Sequence, residues 1–288
     1  MRRKATRDLS LRRLSHIAIG LAAAIVINGN AANRCAAQTD VGAAVLTGIG
    51  GAYGALVSEP LTIWYNPALT ALDDTRGGVS LSYRHLFEMS DLEEITVGVV
   101  RHFRRPVTVG LGVTHLGEAS VYEEFVGLTT IAVRPHTSAS LGAGLRYRRT
   151  EFGDGAAAYA GATLDLGGAW RADTNWIAAV AVREITLDDL YRVGDPPTVY
   201  DISLAWMLPP DLTVAGRWSK ESGGESRFGV GQLLRINDQA TFLSGLRFDP
   251  IRYALGARLT RQTLRIDYCY ESHPDLGGTH AVGMSWWW

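Results

Sequence analysis

From Gly78 to its end the chain reads as a succession of strands separated by turns, because apolar residues recur at every second position. Leu264, Ile266, Tyr268 and Tyr270 share one face of a strand, with Arg265, Asp267, Cys269 and Glu271 on the other. Ile251, Tyr253, Leu255 and Leu259 oppose Arg252, Gly256 and Arg258, and Val107, Val109, Leu111 and Val113 oppose Thr108, Gly110, Gly112 and Thr114. The same dyads appear at Leu141/Ala143/Leu145/Tyr147 and Tyr200/Ile202/Leu204/Trp206. Fourteen strands are predicted: 78–87, 94–103, 106–116, 125–134, 137–148, 156–166, 175–184, 198–207, 211–219, 225–235, 239–248, 251–259, 262–271 and 279–288. Most are about nine to eleven residues long, as a tilted membrane-crossing strand requires.

The connections alternate in length. Those after strands 2, 4, 8, 10 and 12 are short (Arg104-Arg105, Pro135-His136, Leu208-Pro209-Pro210, Asn237-Asp238, Thr260-Arg261). Most after odd strands are longer and acidic or Gly-rich, as at 88–93, 117–124, 185–197 and 272–278. Short turns at one end and longer loops at the other mark a transmembrane β-barrel. Two connections break the rhythm: 167–174 reads as a long turn and Asp249-Pro250 as a short loop.

Alternation alone fits a soluble barrel and a membrane barrel equally, because only the direction of the apolar face separates them. Three features favour the membrane version. Arg2, Arg3, Lys4, Arg7, Arg12 and Arg13 precede an apolar run from Ile17 to Ile27 and a small-residue exit, the layout of a secretory signal peptide over 1–37. Cleavage is expected after Ala37, with Ala32 the alternative. Aromatics gather near strand ends (Tyr83, Phe103, Tyr147, Trp176, Trp206, Trp218, Phe248). The last strand ends on Trp286-Trp287-Trp288, where rings with a polar N–H suit a membrane–water interface. Trp286 and Trp288 are the expected anchors, and a terminal aromatic resembles the assembly signal of bacterial outer-membrane barrels.

Composition narrows the function. The 288 residues carry 28 basic and 29 acidic side chains. Processing after Ala37 removes seven basic residues and one acidic, leaving 21 against 28 and a formal charge near −7. That balance disfavours nucleic acid as a partner. Cys269 would be the sole cysteine of the mature chain, so no intramolecular disulfide forms. His85, His102, His115, His136, His273 and His280 are scattered without metal-ligand spacing, and neither Ser58-Glu59 nor Asp73-Asp74 has a visible His partner. The expectation is therefore a non-enzymatic protein without cofactor or metal, seated in outer-membrane lipid.

Residues 38–77 do not alternate. Gly48-Ile49-Gly50-Gly51-Ala52-Tyr53-Gly54 misses the dinucleotide fingerprint, because Tyr53 stands where its third glycine belongs. A short helix or coil packed inside the barrel is predicted, with Asn66-Pro67 setting a turn and Leu56, Val57, Leu61, Ile63, Trp64 and Tyr65 either lining an apolar pocket or filling the lumen. A fourteen-stranded barrel lies between the eight strands that side chains can fill and the sixteen to eighteen that leave an aqueous channel. Its inward glycines (Gly110, Gly112, Gly142, Gly144, Gly229, Gly231) call for an occupant. The opposite faces of the strands turn Arg84, Arg146, Arg148, Arg217, Arg227, Arg247, Arg252, Arg258 and Arg265, with Asp165, Asp201 and Asp267, toward that lumen. They either pair with one another and with the occupant, or orient an anionic head group.

Gly50-Gly51-Ala52-Tyr53, a spacer with Ser58-Glu59-Pro60, and Tyr65-Asn66-Pro67-Ala68-Leu69 resemble the N-terminal signature of the FadL-like outer-membrane superfamily, and within it the PorV/PorQ proteins. The resemblance implies a fourteen-stranded barrel with an N-terminal luminal hatch. It points first to a role in protein secretion or surface attachment through partner proteins. The alternative is a FadL-like conduit for hydrophobic ligands such as long-chain fatty acids. Gly50, Gly51, Tyr53, Trp64, Tyr65, Asn66 and Pro67 are then the hatch or ligand candidates.

Overall fold

The computed structural model describes residues 42–56, 59–103, 106–118, 121–153, 159–187, 196–248 and 250–288. The expected signal segment, 1–37, and Val57 and Ser58 lie outside the described residues.

Fourteen antiparallel strands close on themselves in sequence order. They are β1 Gly77–His85, β2 Glu93–His102, β3 Val107–Glu118, β4 Tyr122–His136, β5 Ala139–Phe152, β6 Tyr159–Arg171 and β7 Trp176–Thr186. The second half comprises β8 Val199–Leu208, β9 Leu212–Glu221, β10 Ser226–Arg235, β11 Ala240–Phe248, β12 Arg252–Arg261, β13 Leu264–His273 and β14 Gly277–Trp287. Each strand pairs with its sequence neighbours, and β14 returns to β1 with Ser80 opposite Ser285, so the sheet has no free edge.

The apolar faces point outward. Tyr253, Leu255 and Leu259 on β12 are 62%, 53% and 61% exposed, whereas Arg258 between them is buried. The same holds on β3, where Leu111 and Val113 are exposed and Thr108 and Thr114 buried. This is the inverse of a soluble barrel and the arrangement of one whose outer surface meets lipid. Aromatics sit at the ends of the outward faces: Phe103, Trp170, Trp206, Trp286 and Trp288 toward the turns, Tyr83, Tyr147, Phe228 and Phe248 toward the loops. Trp176 stacks on Trp206 across β7 and β8, with ring centroids 4.8 Å apart.

Three connections depart from the sequence expectation. Residues 117–124 are mostly strand: β3 runs to Glu118 and β4 starts at Tyr122. Cross-strand partners draw the pairing outward there, since His115 Nε2 lies 2.7 Å from Glu123 and the Tyr122 and Phe152 rings meet edge to face. Residues 272–278 shorten likewise, with β13 reaching His273 and β14 starting at Gly277. Nor is 167–174 a long turn: Gly167 and Gly168 lie within β6, and the chain reverses only over 172–175, where Asp173 Oδ1 accepts from the N–H groups of Asn175 and Trp176. Glycines that look like turn residues in sequence are wall residues in space.

The packed core lies inside the barrel. Residues 42–56 and 59–72 occupy the lumen and include a short α-helix, α1 (Ala44–Gly48), and two 3₁₀ turns, Pro60–Trp64 and Pro67–Leu72, all buried. They form one apolar cluster with inward side chains of the wall, among them Val100, Val126, Leu128, Ile177 and Leu243.

Candidate luminal site

The luminal segment is seated by what the wall lacks. A Cβ added at Gly229 would stand 2.6 Å from the Gly50 carbonyl oxygen, one at Gly112 2.8 Å from the Trp64 ring, and one at Gly142 2.6 Å from the Ala68 nitrogen. Such distances are below any ordinary contact, so these glycines form the socket and the segment is its filling. Gly110 receives Ile63 and Gly231 receives Ile49, whereas Gly144 meets wall side chains of Leu128, Thr130 and Asp165 instead. Gly50 and Gly51 themselves have φ of +59° and +75°, a left-handed bend that places the Gly51 N–H on the Leu46 carbonyl at 3.0 Å and closes α1.

The remaining candidates are fixed one by one. Tyr53 and Tyr65 contact each other with centroids 3.9 Å apart, and the Arg217 guanidinium lies 4.5 Å from the Tyr53 ring centre. Tyr65 Oη accepts the Ala43 N–H at 2.8 Å. Trp64 is fully buried; Arg146 lies 5.4 Å from its ring centre and donates to its carbonyl at 3.2 Å. Asn66 caps the second 3₁₀ turn, its Oδ1 accepting the Ala68 N–H at 3.0 Å. Its Nδ2 donates to the carbonyls of Gly168 at 3.2 Å and Val180 at 3.1 Å, which are register partners on β6 and β7. Pro67 opens the turn, where its missing N–H costs nothing. Farther on, Ser140 Oγ donates to the Ala68 carbonyl, Arg171 to the Leu72 carbonyl, and His102 Nε2 lies 2.8 Å from the Thr70 carbonyl. Leu61, Ile63, Trp64 and Tyr65 fill the lumen, while Leu56 lines a cavity at the turn end.

The inward arginines meet carboxylates. Arg84 makes two hydrogen bonds to Glu94, at 3.1 and 2.6 Å, and Glu94 also accepts the Gly42 N–H. Arg146 lies 2.6 Å from Asp165 and 3.6 Å from Glu184, all three side chains 1% exposed, and Arg148 joins Glu184 at 2.9 Å. Arg183 and Arg217 share Asp201 at 2.8 and 2.6 Å. Arg258 grips Asp267 at 2.5 and 2.9 Å, and Arg227 lies 2.7 Å from Glu221. Arg247 and Arg252 flank Glu271 more loosely, each at 3.6 Å. Arg265 lies 4.6 Å from the Trp287 ring centre, so alternation turns that tryptophan inward while Trp286 and Trp288 face out. Buried ions need such partners, because desolvation otherwise costs several kcal/mol each.

Sequence reasoning missed Glu94, Arg183 and Glu184, and it placed Glu271 on the polar face of its strand without counting it among the luminal charges. Glu94 and Glu271 were within reach of strict alternation, being in phase with Thr96 and Asp267. Arg183 and Glu184 are consecutive, and alternation allows only one of them inside. A register shift opposite Asp165, with Glu184 at φ +59°, turns both into the lumen, and Asp165 Oδ1 accepts the Glu184 N–H at 2.8 Å. Glu59 is a further luminal acid: Ser285 donates to it at 3.1 Å, and burial, then Asp267, push its pKa up against the pull of Arg258 and Arg265. Among the described residues, no group of three or more His, Cys, Asp and Glu could hold a metal ion.

No protein-family profile matches the chain, and no curated protein matches it. Solved structures share its fold. The Ralstonia pickettii toluene transporter TbuX superposes with a TM-score of 0.65 at 12% identity, over 85% of this chain and 97% of that one. A Pseudomonas aeruginosa FadL homologue gives 0.60 at 14% identity, over 84% and 95%. The Pseudomonas putida toluene transporter TodX gives 0.61 at 10% identity, over 87% and 99%. At such identities the likeness is one of fold alone, that of a closed antiparallel barrel, which in this chain has fourteen strands.

Proposed function

We propose that this protein is an outer-membrane conduit for small hydrophobic solutes, exported by its signal segment 1–37 and plugged by residues 38–77. The reading is carried by the lumen: a fourteen-stranded barrel with a lipid-facing exterior is filled by its own apolar N-terminal segment rather than left as a water-filled pore. A filled lumen suits solutes that partition out of water better than ions or sugars, which need a wet path. The fold neighbours support the same reading, since two are named as toluene transporters and another as a FadL homologue. This reverses the order of the two readings drawn from the sequence. Secretion or surface attachment through partner proteins retains the resemblance of residues 50–69 as its support, and no neighbour named above is a secretion component. The paired arginines favour solutes without an anionic head group.

The test is uptake. In a host lacking its own hydrocarbon and fatty-acid barrels, expression should raise the initial uptake of radiolabelled toluene several-fold over empty vector. Oleate, run in parallel, reports the fatty-acid branch of the same reading. Rates equal to empty vector for both solutes would overturn the proposal.

A further inference from the structure

We propose that the cavity at the turn end of the barrel is a binding site for one compact, uncharged apolar solute. The inference rests on the conduit reading above and adds where the solute pauses and what charge it carries.

The cavity measures about 390 Å³ and lies between the luminal segment and the inward faces of β7 to β10. Pockets for small molecules occupy roughly 300–1,000 Å³, and a dry apolar cavity of about 150 Å³ already holds benzene. Its walls are Ala55 and Leu56 of the segment, Ile177 on β7, Ala205 and Met207 on β8, and Leu233 on β10. These positions break the lumen's own pattern. Elsewhere the inward aliphatic side chains of the wall, among them Val100, Val126, Leu128 and Leu243, are buried in the luminal core, whereas Met207 and Leu233 face the cavity beside the mouth. Met207 and Leu233 are only partly buried, packed on the core from its edge. Apolar surface left facing a cavity is stabilised by an apolar guest.

The polar rim sets the charge. Asp73 and Asp74 line the cavity together with one guanidinium, Arg171, which donates to the Leu72 carbonyl at 3.2 Å. Arg134 approaches Asp74 at 3.0 Å on the exposed side, and Asp73 Oδ1 accepts the Thr75 N–H at 3.0 Å. Arg171 and Arg134 balance the two carboxylates, so the rim offers a carboxylate amphiphile no net attraction to offset the desolvation of its charge. A neutral hydrocarbon carries no such desolvation cost.

The full-length mature protein in lipid nanodiscs, dialysed against naphthalene or 2-naphthoate with empty nanodiscs as reference, tests the site. Saturable binding of one naphthalene per barrel, with 2-naphthoate at least about tenfold weaker, is expected. Met207→Trp and Leu233→Trp, which fill the cavity from its partly buried edge, should each weaken naphthalene binding by about tenfold or more while the barrel still migrates as a folded, heat-modifiable band. Absence of saturable binding, equal binding of both probes, or binding indifferent to both tryptophans would overturn the site. Toluene uptake by the same variants separates the two proposals. Lost binding with unchanged uptake removes the cavity from the path and leaves the conduit standing. Saturable binding by a protein that transports nothing keeps the site and overturns the conduit.

Discussion

Asn66 and Gly168 lie 102 positions apart in sequence and are joined by a hydrogen bond of 3.2 Å from the asparagine Nδ2 to the glycine carbonyl. The same nitrogen reaches Val180 across the strand pair, so one side-chain amide ties the luminal segment to both β6 and β7. Gly167, next in the chain, faces inward directly onto the Asn66 side chain. Neither residue alone makes the contact possible: the wall must be bare where the amide arrives.

Asn66→Ala removes both wall bonds and the cap on Ala68, and should destabilise the folded protein by about 1–3 kcal/mol. Asn66→Asp should fare no better, because a carboxylate can still accept from Ala68 but has nothing to donate to two carbonyls. Guanidinium unfolding in detergent measures both, and an Asp variant as stable as wild type would refute the assignment.

Filling the socket should expel the segment. Gly142→Val places a side chain on Ala68, while Gly127→Val, facing outward with its nearest atom 3.9 Å from the added Cβ, is the control. In planar bilayers Gly142→Val and deletion of residues 40–66 should conduct ions steadily, and Gly127→Val should stay closed. An intact protein that conducts like an open porin would sink the plug assignment.

Arg146 is shared by Asp165, Glu184 and the Trp64 carbonyl. Arg146→Leu leaves the buried Asp165 without its cation, while Glu184 keeps Arg148, and breaking such a buried pair costs roughly 3–5 kcal/mol. The same guanidinium titration reads the loss. A change under about 1 kcal/mol, the usual worth of an exposed pair, would mean the cluster is wet.

Glu59 supplies a pH dependence. Burial raises its pKa in the folded protein, so between its ordinary and raised values the folded state holds a proton that the unfolded chain has released. Stability from this group is present at low pH and lost as pH rises through that window. Glu59→Gln should therefore stabilise the protein above the window, lose that advantage below the ordinary carboxylate value, and flatten the pH profile of the unfolding midpoint. A variant profile parallel to wild type would remove Glu59 as the cause.

Deleting Trp286–Trp288 takes away two outward aromatic anchors and the inward ring under Arg265. Outer-membrane levels of the folded, heat-modifiable form should fall and aggregates should rise. Wild-type levels after the deletion would show that the terminal strand carries no assembly information.

Period-two alternation by itself determined the strand number and most residues of each face, because β geometry sends successive side chains to opposite sides. It also identified the inward glycines and most of the luminal charges, and marked 38–77 as the segment without a place in the wall. Strand ends, the consecutive inward pair Arg183-Glu184 and the partner of every arginine were decided only in three dimensions. The ends depend on cross-strand contacts such as His115 with Glu123, and the pair depends on a register shift opposite Asp165. Gly167 shows the division most plainly. In sequence a Gly-Gly step reads as a turn, but in the barrel it is the space that Asn66 fills, and only the path of the luminal segment could say so.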